Sequence, residues 1–131
     1  MTAHGPELVG RRFSAASTYQ ISADAIANFS RAIGAEPDSI PPTFLISFAI
    51  KAAEEFLPTL NFDWSRVVHG DQRFAHDRQI QAGDVLTITS EIESYKSLAG
   101  NEFVAIRSDF LDARNGKKVS SAWSTLVFRG A

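Results

Sequence analysis

The apolar positions change period near the middle of the chain. Residues 1–66 carry helix-type spacing, and residues 67–130 alternate with the period of two that marks half-buried strands. In the first half, Ile26, Phe29, Ala32 and Ile33 recur on one face. This predicts a helix over 23–33, with Ser22 as its N-cap and Gly34 where a C-terminal glycine belongs. Residues 18–21 read as a short strand before it, and 34–42, with three prolines, read as a loop. A second helix is predicted over 43–57, started by Pro41-Pro42 and ended by Pro58. Its polar residues, Thr43, Ser47, Lys51, Glu54 and Glu55, make one narrow stripe on an otherwise apolar cylinder. A stripe that narrow predicts a helix enclosed over most of its circumference.

The second half reads as strands. Residues 67–69 and 73–80 are interrupted by Gly70-Asp71, and Ala82-Gly83-Asp84 is a turn. Over 85–97, Leu86, Ile88 and Ile92 alternate with Thr87, Thr89, Glu91 and Glu93. Residues 98–101 turn the chain, and 102–113 return with Val104, Ile106 and Phe110 on one side. Asn115-Gly116 is a hairpin signal. The last run, 119–129, places Ala122, Leu126 and Phe128 on one face and Val119, Trp123 and Val127 on the other. Two faces this apolar predict one against the helix and one against a second subunit. A long antiparallel sheet wrapped around one buried helix is the hot-dog arrangement, an α+β fold. Such sheets pair edge to edge across a dimer, which protects their strand edges.

Composition narrows the function. At 131 residues with no repeat or linker, residues 1–131 read as one domain. Hydrophobic residues are 44% and charged residues 21%, a globular balance, with ten Phe as large rigid contacts. A formal charge of -2 disfavours nucleic acid, which wants a clustered basic face. The absence of Cys excludes disulfides, thiolate metal sites and Cys nucleophiles, and three scattered His do not make a metal-ligand set. There is no apolar run near the ~20 residues of a membrane span and no signal-peptide layout, so a soluble cytoplasmic protein is expected.

Several short motifs then fall in a telling order. They are Pro-Pro-Thr-Phe at 41–44, His-Gly-Asp-Gln-Arg-Phe at 69–74 and Ala-Gly-Asp at 82–84, after an opening with Val9-Gly10, a Tyr19 strand and a helix ending Ala32-Ile33-Gly34. Together they resemble the N-terminal-type hot-dog domain of MaoC-like dehydratases, including accessory subunits of (3R)-hydroxyacyl-carrier-protein dehydratases, over nearly the whole chain. The resemblance implies a dimer, with itself or with a catalytic hot-dog partner. It also implies an acyl-CoA or acyl-carrier-protein thioester ligand and no metal or redox cofactor.

One departure decides the expected role. Catalytic members of that family carry an Asp-x-Asn-Pro-x-His signature after the first helix, whose Asp and His serve reversible hydration of a 2-enoyl group. Here residues 34–40 contain no His. A general base must lie within hydrogen-bond reach of its proton, and nothing in this loop has imidazole's near-neutral pKa. No catalytic residue is therefore assigned.

The remaining candidates have competing readings. His69 and His76, seven apart, point to opposite faces unless Gly70 makes a bulge, and each reads as structural. Asp71-Gln72 either faces an acyl channel or a partner's site, or closes a bulge. Glu54 and Glu55 would suit a hot-dog thioesterase, but they continue the polar stripe and suit pairing with Lys51. Backbone N–H groups near Phe44 and Leu45 either polarise a thioester carbonyl or, because Pro41-Pro42 removes two donors, are only the relic of such a site. The basic residues Arg11, Arg12, Arg66, Arg73, Arg78, Lys117 and Lys118 read as scattered surface charge. Substrate contacts are expected at His69, Gly70, Asp71, Gln72, Phe74, Phe44, Phe48 and Ala52. The expected function is acyl-thioester holding beside a dyad-bearing subunit. The alternatives are a self-sufficient thioesterase and a non-catalytic homodimeric scaffold.

Overall fold

Strand β4 (Val85–Leu98) anchors the architecture. β5 (Asn101–Asp112) pairs with its whole length, and β6 (Lys118–Phe128) and then β3 (Val67–His76) follow outward. On the other side of β4, two short strands share the edge: β1 (Arg12–Ser14) pairs at residues 89–91 and β2 (Tyr19–Gln20) at 85–86. The result is a six-stranded antiparallel sheet in the order β1-β4-β5-β6-β3, with β2 beside β4. The computed structural model describes residues 5–36 and 38–130; His4 and Pro37 lie outside the described residues.

Both helices form where their local chemistry directs. Helix α1 (Ala23–Ile33) begins where the Ser22 hydroxyl accepts the Ala25 N–H, and ends at Gly34 with φ 76°, a conformation glycine adopts without strain. Helix α2 (Ile46–Phe56) is shorter than the pattern predicts. Residues 42–45 wind as turns, with Phe44 N–H donating to Pro41 O and Ile46 N–H to Thr43 O at 3.0 Å each. A 3₁₀ turn, Leu57–Thr59, carries its end past Pro58.

The sheet wraps α2 as a hot-dog fold requires. Phe44, Leu45, Phe48, Ala49 and Ala52 pack with Leu86, Ile88 and Phe110, while Phe56 joins Leu8, Ile92, Val104, Leu126 and Phe128 in a second cluster. An edge-on aromatic row, Tyr19–Phe48–Phe44–Phe29, ties β2, α2 and α1 together. Enclosure stops on one flank, where Ile50 is 45% exposed and Ile46 and Ala53 are half-buried.

Three strands depart from simple alternation. Val119 was expected on the outward face with Trp123 and Val127, yet it is 1% exposed and packs in the core beside Ala122. The register shifts there, Phe110 opposing Ser120 and Leu111 opposing Lys118, so Val119 is an extra residue turned inward. Its carbonyl accepts the Asp77 and Arg78 N–H groups. Further shifts lie between Ile92 and Ser94 on β4 and between His69 and Asp71, where Gly70 is the added residue in one continuous β3.

The outward face of β4 and β5 is ionic. Glu91 pairs with Arg12 at 2.7 Å and meets Arg107 at 3.8 Å, and Arg107 reaches Glu93 at 3.0 Å. Exposed large apolar side chains are Val9, Ile33 and Leu98, together with Val68 on the β3 edge at 41% and Ile50 on α2.

Candidate functional site

Between the open flank of α2 and the inner face of β3, β5 and β6 lies a cleft of about 430 Å3. Ile46, Ala49, Ile50 and Ala53 form its helix wall, Trp64, Val67 and Val68 the opposite wall, and Ile106, Ser108, Ser124 and Leu126 the floor. Trp64 is fixed edge-on to Phe62 and Phe128, and its buried indole N–H has no hydrogen-bond acceptor.

The floor is drier than its serines suggest. Ser108 Oγ lies 3.0 Å from Ser90 Oγ, and Ser124 Oγ donates to Gln72 Oε1. Each hydroxyl is satisfied by a neighbour, so the cleft offers an apolar ligand no unpaired polar group along its floor.

The Gly70 bulge sets which β3 side chains face this space. His69, Gln72, Phe74 and His76 oppose Leu126, Ser124, Ala122 and Ser120, all inward positions of β6. The two histidines thus share a face, because the bulge reverses the parity that unbroken alternation would impose. Six ladder positions still separate them, roughly 20 Å along the strand. His69 lines the cleft. His76 does not: its Nε2–H donates to Pro42 O at 2.9 Å and its Nδ1 is 2.7 Å from Ser120 Oγ, so both nitrogens are engaged.

The other expected substrate contacts divide. Gln72 closes the floor through Ser124, while Gly70 and Asp71 lie exposed on the edge strand. Phe44 and Phe48 belong to the aromatic row behind α2, and half-buried Phe74 stacks on His76. Ala52 faces a second, smaller recess of about 190 Å3 on the far flank of α2. Sequence reasoning missed Ile46, Ala49 and Ile50 as the cleft wall, since an apolar helix residue looks the same whether it meets a core or an open space.

The two carboxylates of α2 serve different flanks. Glu55 accepts the Ala16 N–H at 2.9 Å and the Tyr19 hydroxyl at 3.2 Å, strapping the β1–β2 connection over the helix. Burial, and then the Glu55 carboxylate, raise the Tyr19 phenol above its ordinary range. Lys51 lies over the Phe48 ring at 5.9 Å rather than pairing with Glu55. Glu54 lines the cleft, as His69 does, with no hydrogen bond or ion pair joining them among the described residues. The Phe44 N–H is spent on Pro41 O. Carbonyls of the loop accept the hydroxyls of Ser30, on α1, and of Ser39.

Charge elsewhere is structural. Arg78 donates to Asp84 at 2.9 Å and to Asp112 at 3.3 Å, with Arg114 bridging both carboxylates. The Arg78 hydrogen bond holds Asp84 below the usual carboxylate range, and the Arg114 main-chain N–H does the same for Asp112. Arg73 stacks on Trp123 at 5.0 Å, and Arg66 binds Asp63 and Gly130 O. No metal-ligating cluster exists among the described residues, and none of their helices is long and apolar enough to cross a membrane.

Comparison with known proteins adds three findings. A family model described as the FAS1-like dehydratase domain region matches residues 38–120. A UPF0336 protein of Streptomyces coelicolor is 41% identical over 95% of this chain and 94% of its own length, and one from Saccharopolyspora erythraea is 36% identical over 93% and 89%. Among solved structures, the C-terminally truncated HadBC (3R-hydroxyacyl-ACP dehydratase) complex of Mycobacterium tuberculosis superposes with a TM-score of 0.84 at 21% identity, covering 92% of this chain and 96% of that one. A MaoC-like dehydratase of Rhodospirillum rubrum gives 0.66 at 14% identity, over 94% and 93%. At those identities the likeness is one of fold.

Proposed function

Because the chain belongs to the UPF0336 family and carries a FAS1-like dehydratase domain region, we propose that it is the acyl-holding, non-catalytic hot-dog subunit of a 2-enoyl-thioester hydratase or (3R)-hydroxyacyl-thioester dehydratase. It works in the cytoplasm on a CoA or carrier-protein thioester and pairs along β3 with a subunit bearing the Asp/His dyad.

The observation that carries this reading is the cleft. It is apolar, its floor hydroxyls are already paired, and it opens beside the free edge of β3. Hydration and dehydration need a proton moved at the carbons next to the thioester. In this chain the loop after α1 has no imidazole, His76 has no free ring nitrogen, and His69, which lines the cleft, has no carboxylate hydrogen-bonded to it among the described residues. The chain's own share is to bind and orient. Ile46, Ile50 and Leu126 take the acyl chain from water, while His69, Gly70 and Asp71 stand where the edge strand meets the partner. Phe44, Phe48, Ala52, Gln72 and Phe74 support those walls from behind.

The purified chain, assayed alone with crotonyl and longer 2-enoyl thioesters, is expected to show no turnover. Activity is expected once a dyad-bearing partner from the native host is added. Turnover by the chain alone overturns the reading.

One observation favours a second reading, a self-sufficient thioesterase: Glu54 and His69 both line the cleft. Thiol release from acyl-CoA by the isolated chain, abolished by Glu54→Gln, establishes it in place of the first.

A further inference from the structure

The cleft and the smaller recess flank the same turn of α2. Ala49 and Ala53 face the cleft, and Ala52 faces the recess. Below them, Ser108 belongs to the cleft and Ser90 to the recess, directly opposed across β4 and β5 with their hydroxyls 3.0 Å apart. Ala49, Ala52, Ala53 and the Ser90–Ser108 pair thus lie between the linings of the two spaces. On either side of this waist the helix is sealed to the sheet by large side chains, Phe48 in one core cluster and Phe56 in the other.

We propose that this partition of Ala49, Ala52, Ser90 and Ser108 sets the longest acyl chain the cleft accepts. The inference rests on the acyl-holding reading above and adds its specificity determinant. A chain entering between Ile50 and Val68 runs inward over Leu126 and stops against Ser108, because the Ser90–Ser108 pair and Ala52 close the way to the recess. Each methylene buried before that point strengthens binding, and those beyond it stay in water and add nothing. The serines narrow the way at this point, one hydroxyl donating to the other. Adding bulk on the cleft side shortens the accepted chain, and removing both hydroxyls lengthens it. Replacing both partners together leaves neither group unpaired, so the double variant retains its fold.

Trp64 in the cleft wall reports occupancy by fluorescence. Trp123 lies on the outward face beneath Arg73, so Trp123→Phe isolates the signal. The full chain in that background is titrated with straight-chain acyl-CoA thioesters from butanoyl to hexadecanoyl. Affinity is expected to rise about fourfold per methylene up to a limit, and then level off. Ala49→Leu should bring the limit to shorter chains and weaken the longest by about tenfold. Ser90→Ala/Ser108→Ala should move the limit to longer chains. A limit that neither variant moves, with thermal melts showing both folded, overturns the partition while the acyl-holding reading stands. Absence of binding at every length overturns both.

Discussion

The imidazole of His76 holds the main-chain carbonyl of Pro42, its Nε2 2.9 Å from the oxygen. A carbonyl only accepts, so Nε2 carries the proton, and in the neutral ring Nδ1 takes the hydroxyl hydrogen of Ser120. One side chain on β3 thus fixes both the inner face of β6 and the diproline turn from which α2 starts. His76→Ala leaves the fully buried Ser120 hydroxyl unpaired. It is expected to cost about 1–3 kcal/mol in urea denaturation. An unchanged midpoint would show that the turn is held by other contacts.

Glu55 straps residues 15–20 over α2, and the Tyr19 phenol registers it. Glu55→Gln removes a negative charge beside a hydroxyl whose ionisation that charge opposes. The Tyr19 titration should therefore move down toward the ordinary phenol value. Ultraviolet difference titration in a Tyr95→Phe background reads it, since the chain has two tyrosines. The second, Tyr95, is pushed up to about 12, first by burial and then by Glu102; a Glu102→Gln variant should lower it in the same way.

The Arg78–Asp84–Asp112–Arg114 cluster predicts acid sensitivity. Both carboxyls ionise more readily folded than unfolded. Their stabilisation is present above the ordinary Asp range and is lost as pH falls through and below about 4. Asp84→Asn should cost about 1–2 kcal/mol near neutrality, a figure discounted because Arg78 is 39% exposed. It should also flatten the loss of Tm on acidification. A variant whose melting curve keeps the parental pH slope would refute this assignment.

Gly70 is required by space at the bulge. A Cβ there would meet Val127 Cγ2 at 3.0 Å, so the valine must give way. Gly70→Ala is expected to destabilise by about 0.5–1 kcal/mol, and Val127→Ala in the same chain to recover part of that. Chemical denaturation of the four members of the cycle measures the coupling; simple additivity would contradict the contact.

Much of the architecture is local and was readable as such. The Ser22 cap, the Gly34 stop, the alternation along β4 and β5 and the imidazole-free loop follow from neighbouring residues, and neighbours are what periodicity and capping report. Packing across the chain decided the rest. Bulges at Gly70 and Val119 turned His69 and Val119 inward, because each arises from register against a distant strand. Which flank of α2 stays open depends on how far the sheet curls, so Ile46, Ala49 and Ile50 look like core until the wall opposite them is seen. Glu54 and Glu55 stand side by side in sequence. The fold alone gave one a strap to hold and the other a cleft to face, since a helix turns adjacent residues about 100° apart toward whatever surface lies there.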